Sequence, residues 1–130
     1  MSLKFGTDGW RAVIADEFTF ENLALAIRAT HAEMPASAAP VIVGHDTRFQ
    51  SAAFARAAAE NFARAGRDVL ITTGACPTPA VSCQVVASGA PFGITITASH
   101  NPAEFNGLKI KSARGASAPP SATKAIEARL

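Results

Sequence analysis

The chain has 130 residues and a mass of 13.4 kDa, with 12 Lys and Arg against 10 Asp and Glu and 48% apolar residues. That is one domain's worth of sequence with a single core, and its scattered, nearly balanced charge gives no case for a nucleic-acid or membrane partner. No apolar run approaches membrane-spanning length, and Met1-Ser2-Leu3-Lys4 lacks the apolar core of a secretory signal, so the expected compartment is the cytoplasm.

In chain order, residues 4–14 begin with Phe5, place Gly6 and Gly9 around Thr7-Asp8, and resume an apolar run at Trp10. The glycines predict a bend or a close backbone approach, with Arg11 emerging beside it. Arg11 is either a solvated arginine on an ordinary hairpin or a fork for phosphate oxygens. Next, Thr19 is placed to cap a helix and Glu21 favours its positive end. Leu23, Ile27, Thr30 and Met34 fall near one face, and the helix stops before Pro35. His31 reads as a partly exposed helical residue, since no carboxylate or second histidine is spaced to make it a metal ligand.

Residues 41–43 predict a short buried strand ending at Gly44. The loop His45-Asp46-Thr47-Arg48-Phe49-Gln50-Ser51 hands over to an alanine-rich helix over about 52–65, with Phe54, Ala58, Phe62 and Ala65 on its buried face and Gly66 ending it. Asp46 and Arg48 follow a strand's carboxyl end, and the reading we prefer for them is an ion pair or cap that shapes the loop. A strand over 69–72 and a loop over 73–77 come next, then a helix opened by Thr78-Pro79 and carrying Val81, Val85 and Val86 to Gly89. Cys76 and Cys83 lack a paired ligand motif and are expected to be reduced thiols.

The β-branched run 92–97 predicts a buried strand that breaks into Ala98-Ser99-His100-Asn101-Pro102, so a serine stands where a strand opens into a loop. In open α/β sheets, ligands bind in the crevice beyond the strands' carboxyl ends. Ser99 is therefore placed where a nucleophile is useful. The alternative is a plain turn. Around Ser99 stand His100, Asn101, a turn expected at Asn106-Gly107 and, ten positions on, Lys109. As chemistry the set is coherent: a hydroxyl to carry a phosphoryl group, an imidazole and an ammonium to handle charge and protons, and backbone N–H groups to cradle oxygens. Residues 108–111 predict one more strand, antiparallel to its neighbour because only a short loop separates them. Residues 112–120 read as a loop or linker, and 121–130 as the beginning of a helix. The alternation of strands and helices predicts an α/β fold, a three-layer α/β/α domain with a mainly parallel mixed sheet and helices on both faces.

Thr97-Ala98-Ser99-His100-Asn101-Pro102 with Phe105-Asn106-Gly107-Leu108-Lys109 resembles the active-site signature of the α-D-phosphohexomutases, which include phosphoglucomutases, phosphomannomutases and phosphoglucosamine mutases. Phe5-Gly6-Thr7-Asp8-Gly9-Trp10-Arg11, Val43-Gly44-His45-Asp46-Thr47-Arg48 with Ser51, and Pro77-Thr78-Pro79-Ala80 resemble further family blocks. One departure is Ala12, where many relatives have glycine. The resemblance covers nearly all of the chain but only the first of the family's four domains.

The resemblance implies that Ser99 is carried as a phosphoserine that hands its phosphoryl group to a hexose monophosphate, gives a hexose 1,6-bisphosphate intermediate and receives the other phosphate back. Mg2+ is implied as cofactor, bound here only through the Ser99 phosphoryl group. Lys109 is implied as general acid/base or point charge, and His100 and Arg11 as contacts to phosphoryl oxygens. Asn101 and Arg48 are candidate substrate contacts, each with loop shaping as the alternative. The family's aspartate-rich metal loop, of pattern Asp-x-Asp-x-Asp-Arg, belongs to its second domain and does not occur in this chain. The partners implied are a hexose phosphate and the remaining domains of the same polypeptide. Residues 1–130 alone are accordingly expected to show no appreciable mutase turnover and to bind Mg2+ weakly at most. The N-terminal run leans toward a bacterial phosphoglucomutase/phosphomannomutase. Two other classes stay open: a phosphohydrolase working through phosphorylated Ser99, and a non-catalytic binding or regulatory module.

Overall fold

Local sequence and long-range packing agree on nine elements in the computed structural model, which describes residues 3–6 and 9–130. Thr7 and Asp8, between the two N-terminal glycines, lie outside the described residues. Strand β1 spans Trp10–Val13 and helix α1 spans Phe20–Glu33, capped as expected by Thr19, whose Oγ1 accepts the Asn22 N–H at 3.1 Å. Strand β2 (Val41–His45) leads into α2 (Ser51–Arg64), and β3 (Val69–Ile71) into α3 (Thr78–Ala87). Strands β4 (Phe92–Ile96) and β5 (Phe105–Ser112) follow, and then α4 (Pro120–Glu127).

The five strands form one sheet in the order β1-β5-β4-β2-β3. Strands β4, β2 and β3 run parallel, joined by crossover helices, whereas β5 is antiparallel to both β4 and β1. The sheet is thus mixed, with β1 and β5 forming its antiparallel part. One face carries the larger core, in which Trp10, Phe18, Phe54, Phe62, Phe92 and Ile94 pack with α1 and α2, and Ile126 of α4 closes the end. The other face carries α3, whose Val81 and Val85 meet Ile42 and Ala90. Glycines let α3 seat this closely: a Cβ at Gly44 would stand 2.4 Å from Val81 Cγ2, and one at Gly93 2.5 Å from Val85 Cγ2. The two layers of helix and the sheet between them make the expected three-layer α/β/α fold.

Three local expectations change. Asn106-Gly107 is not a turn but lies inside β5, with both residues buried. The reversal sits instead at residues 103–104, and a Cβ at Gly107 would stand 2.5 Å from the Thr97 carbonyl oxygen. Gly107 is therefore needed for strand contact rather than for turning. Ala65 is exposed, and Ala55 takes the buried place beside Phe54 and Ala58, which turns the apolar stripe of α2 slightly. The cap of α3 is Pro77, with Thr78 already helical and making no side-chain cap bond. Gly66 does terminate α2, at φ +93°, with the Arg67 N–H reaching back to the Phe62 carbonyl at 3.1 Å. Cys76 and Cys83 are both free thiols, one half-buried and one exposed.

His31 is more than a partly exposed helical residue. Buried Arg67 donates from Nε to His31 Nδ1 at 2.9 Å. It also donates from Nη1 to the Pro35 carbonyl at 2.8 Å, and from Nη2 to the carbonyls of Met34 at 2.9 Å and His31 at 3.1 Å. A cation thus sits on the orphan carbonyls at the negative end of α1. Its guanidinium also lies 4.8 Å from the centroid of the Phe92 ring, and burial lowers its pKa from the ordinary arginine value. Truncation leaves several acceptors without a donor. Arg67→Ala is expected to lower unfolding free energy by about 2–4 kcal/mol, read from urea unfolding; an unchanged midpoint would mean that water replaces the guanidinium without loss.

Candidate active site

Strand β4 is buried at all five positions and ends at Ile96, after which the backbone enters the loop that carries Ser99. Ser99 is exposed and has φ +56°, the left-handed region that L-residues other than glycine rarely adopt. Its N–H donates to Thr97 Oγ1 at 3.0 Å, and the Asn101 N–H closes a turn on the Ala98 carbonyl at 3.0 Å. Such backbone strain, of about 1–3 kcal/mol, persists only where the surroundings enforce it and concentrates at functional sites.

Arg11 lies in β1 opposite Gly107 of β5, and Lys109 lies opposite Thr95 of β4. Trp10, Ala12, Leu108 and Ile110 occupy the larger core, so alternation places Arg11 and Lys109 together on the opposite sheet face, two residues apart along β5. Both are half-buried. Arg11 Nη1 donates to Asn101 Oδ1 at 2.8 Å, which ties this arginine to the serine loop. His100 is exposed next to Ser99. The structure therefore brings Ser99, His100, Asn101 and Arg11 to one loop, with Lys109 on the strand that leads away from it.

Arg48 meets the same loop from the other side. Its Nη2 donates to the carbonyls of Ser99 at 2.8 Å and Asn101 at 2.7 Å. Its Nη1 donates to those of Pro102 at 2.8 Å and Phe105 at 3.0 Å, and Nε pairs with Asp46 Oδ2 at 3.3 Å. Its two terminal nitrogens thus make four hydrogen bonds within the chain, and Nε lies in an ion pair with Asp46. This is the loop-shaping alternative in physical form. Asp46 Oδ1 accepts from the Arg48 backbone N–H at 2.9 Å and from Ser51 Oγ at 2.6 Å, and Ser51 Oγ accepts from Asn106 Nδ2 at 2.9 Å. The Asn106 side chain and Thr97 Oγ1 are supports that sequence reading did not single out. Asp46 followed two residues later by a bonded N–H is a local Asx turn and was open to detection, whereas the Asn106 partners are remote in sequence.

Among the described residues no three His, Cys, Asp or Glu side chains converge on a possible metal position. Asp46 is occupied by Arg48 and Ser51. No helix among the described residues is long and apolar enough to cross a membrane.

An α/β/α domain that holds an exposed, left-handed serine at the carboxyl edge of its sheet, with cations on the adjoining strands, has the makings of a group-transfer site. Residues 2–130 match the family described as "Phosphoglucomutase/phosphomannomutase, alpha/beta/alpha domain I". The chain belongs to this family and carries its first domain. It is 38% identical to a phosphoglucosamine mutase of Parafrankia sp. (strain EAN1pec), covering 100% of this chain and 32% of that protein. A phosphoglucosamine mutase of Synechococcus sp. (strain WH7803) is 37% identical, over 98% of this chain and 27% of its own length. Among solved structures, a putative phosphomannomutase from Thermus thermophilus superposes with a TM-score of 0.94 at 43% identity, covering 98% of this chain and 30% of that one. The chain spans about a third of the length of these relatives.

If the left-handed backbone at position 99 is strained, glycine should relieve it while alanine should not. Ser99→Gly is expected to be more stable than Ser99→Ala by about 0.5–1 kcal/mol, measured by thermal unfolding of the two variants side by side. Equal stabilities would mean that the loop adopts this conformation without strain.

Proposed function

We propose that this chain is the phosphoserine-bearing domain of a phosphohexomutase, an isomerase that interconverts hexose 1-phosphates and 6-phosphates. The observation that carries the reading is the exposed Ser99, held at φ +56° beyond the end of β4, with Arg11 tied to its loop through Asn101 and Lys109 on the neighbouring strand β5. Family membership supports it.

In the first half-reaction the bond between phosphorus and Ser99 Oγ breaks as a bond from phosphorus to the sugar hydroxyl forms. The hydroxyl proton passes to a general base, for which Lys109 is our assignment; as an ammonium it serves the reverse step as acid, or as a point charge beside the sugar oxygen. The product is a hexose 1,6-bisphosphate. After the sugar turns over, its other phosphate returns to Ser99 Oγ and the proton is given back. Phosphoryl transfer of this kind needs positioned positive charge more than covalent assistance. Arg11 and His100 supply contacts to the phosphoryl oxygens, and Asn101 orients Arg11 through their hydrogen bond. Arg48, with its donors engaged, is given no substrate contact.

Mg2+ enters this reading only through an oxygen of phosphorylated Ser99. It neutralises charge on the moving group when bound, and its remaining ligands would come from outside the described residues. Recognition of glucose, mannose or glucosamine at the second carbon is likewise assigned to other domains. The free thiols of Cys76 and Cys83 agree with a reducing, cytoplasmic setting.

Two tests follow in the complete polypeptide that carries these residues. Ser99→Ala removes the phosphoenzyme and with it turnover, as read by coupled assay of glucose 1-phosphate conversion and by phosphopeptide mapping. Lys109→Met lowers kcat by about 10²–10⁴-fold with the fold retained, and wild-type rates would strike the lysine from the chemistry. Residues 1–130 alone are expected to give no appreciable turnover in the same assay, and robust conversion would overturn the need for further domains.

A further inference from the structure

We infer that Arg48 is a positioning residue that sets the shape of the Ser99 loop, acting on turnover without touching the substrate; the kinetic part of this inference rests on the mutase reading. One guanidinium gathers the carbonyls of Ser99, Asn101, Pro102 and Phe105, all within 3.0 Å, across 51 to 57 residues of sequence. No neutral or ammonium side chain can do this. The planar fork offers five fixed donors, whereas a lysine offers three from one point.

The clasp also determines which way the loop's peptides face. In a trans peptide the C=O and N–H point in opposite directions. Drawing the Ser99 carbonyl toward Arg48 therefore turns the His100 N–H away from it, and drawing the Pro102 carbonyl turns the Ala103 N–H away likewise. Carbonyl oxygens, which repel an anion, are thus gathered at Arg48, and the N–H groups of His100 and Ala103 face away from it. The arginine is itself fixed by Asp46, through Nε and through its own backbone N–H. Asp46 is steadied in turn by Ser51, which binds Asn106 of β5. The loop after β2, the loop after β4 and the start of β5 thus form one unit centred on Arg48.

Two readouts decide the matter, using Arg48→Lys and Arg48→Met in the complete polypeptide. Amide hydrogen exchange followed by mass spectrometry should show residues 98–105 exchanging at least about tenfold faster in both variants, with β2 and β4 still protected. Steady-state kinetics with glucose 1-phosphate should show kcat reduced about 100-fold and KM within about threefold of the parent. Lysine is expected to rescue neither. The inference is overturned if Arg48→Lys keeps both the parental kcat and the protection, because charge alone would then suffice. It is also overturned if KM rises tenfold with kcat unchanged, which is the signature of substrate contact, or if both variants lose protection throughout the sheet. Should the parent itself convert no hexose phosphate, the mutase reading fails, and the exchange experiment still decides the clasp: faster exchange confined to residues 98–105 supports it, and unchanged exchange refutes it.

Discussion

The site depends on one strand that is paired along both edges. Strand β5 is antiparallel to β4 on one side and to β1 on the other, so it connects the serine loop, Lys109 and Arg11. The ladder from Phe92↔Ser112 to Ile96↔Leu108 keeps the reversal short. The ladder from Trp10↔Leu108 to Val13↔Phe105 then brings the N-terminal arginine alongside. Neither pairing tolerates much at position 107, where a Cβ would meet the Thr97 oxygen at 2.5 Å and the Trp10 oxygen at 2.8 Å. A glycine at the centre of a doubly paired strand weakens it intrinsically. Here close approach of two neighbouring backbones requires it.

The two faces of the sheet do different work, and their asymmetry explains where charge can sit. Helices α1, α2 and α4 cover the larger core and exclude water from Trp10, Ile94 and Leu108. On the opposite face, α3 covers β2 and β4, pressed close by Gly44 and Gly93. Arg11 and Lys109 occupy that second face toward β1 and β5, where they are half-buried. A cation on the fully covered side would bear a desolvation cost, the same effect by which burial lowers the pKa of Arg67. Arg11 and Lys109 are both partly exposed on the second face, which on the mutase reading proposed above would let an incoming anion reach them.

Much of this was legible in the sequence. The buried run before Ser99, the Thr19 cap and the Gly66 terminus are local signals with local causes, and each stands in the structure. Three features that the sequence left open or misplaced rest on long-range bonds. Asn106-Gly107 has the composition of a hairpin turn, yet the Asn106 side chain is used 55 residues away on Ser51. Arg67 reads as a polar residue before a strand, and its acceptors lie 32 to 36 residues upstream at the end of α1. Arg48 could be read only as a choice between substrate and scaffold, because its carbonyl acceptors carry no residue type for a pattern to recognise. Long-range bonds made by side chains leave no periodicity, so sequence reading misses them.

The magnitudes indicate what holds Ser99 in readiness. A non-glycine residue in the left-handed region costs about 1–2 kcal/mol, whereas a hydrogen bond to a charged group contributes about 1.5–3 kcal/mol net. The bond from Arg48 to the Ser99 carbonyl acts against the backbone strain, and three further bonds from the same guanidinium order the residues around it. Both ends of that clasp, residues 46–51 and 97–107, lie within this one domain. The shape of the serine loop is thus set by contacts inside this domain, and on the mutase reading proposed above that would favour electrostatic catalysis, because fixed donors need no reorganisation as charge develops.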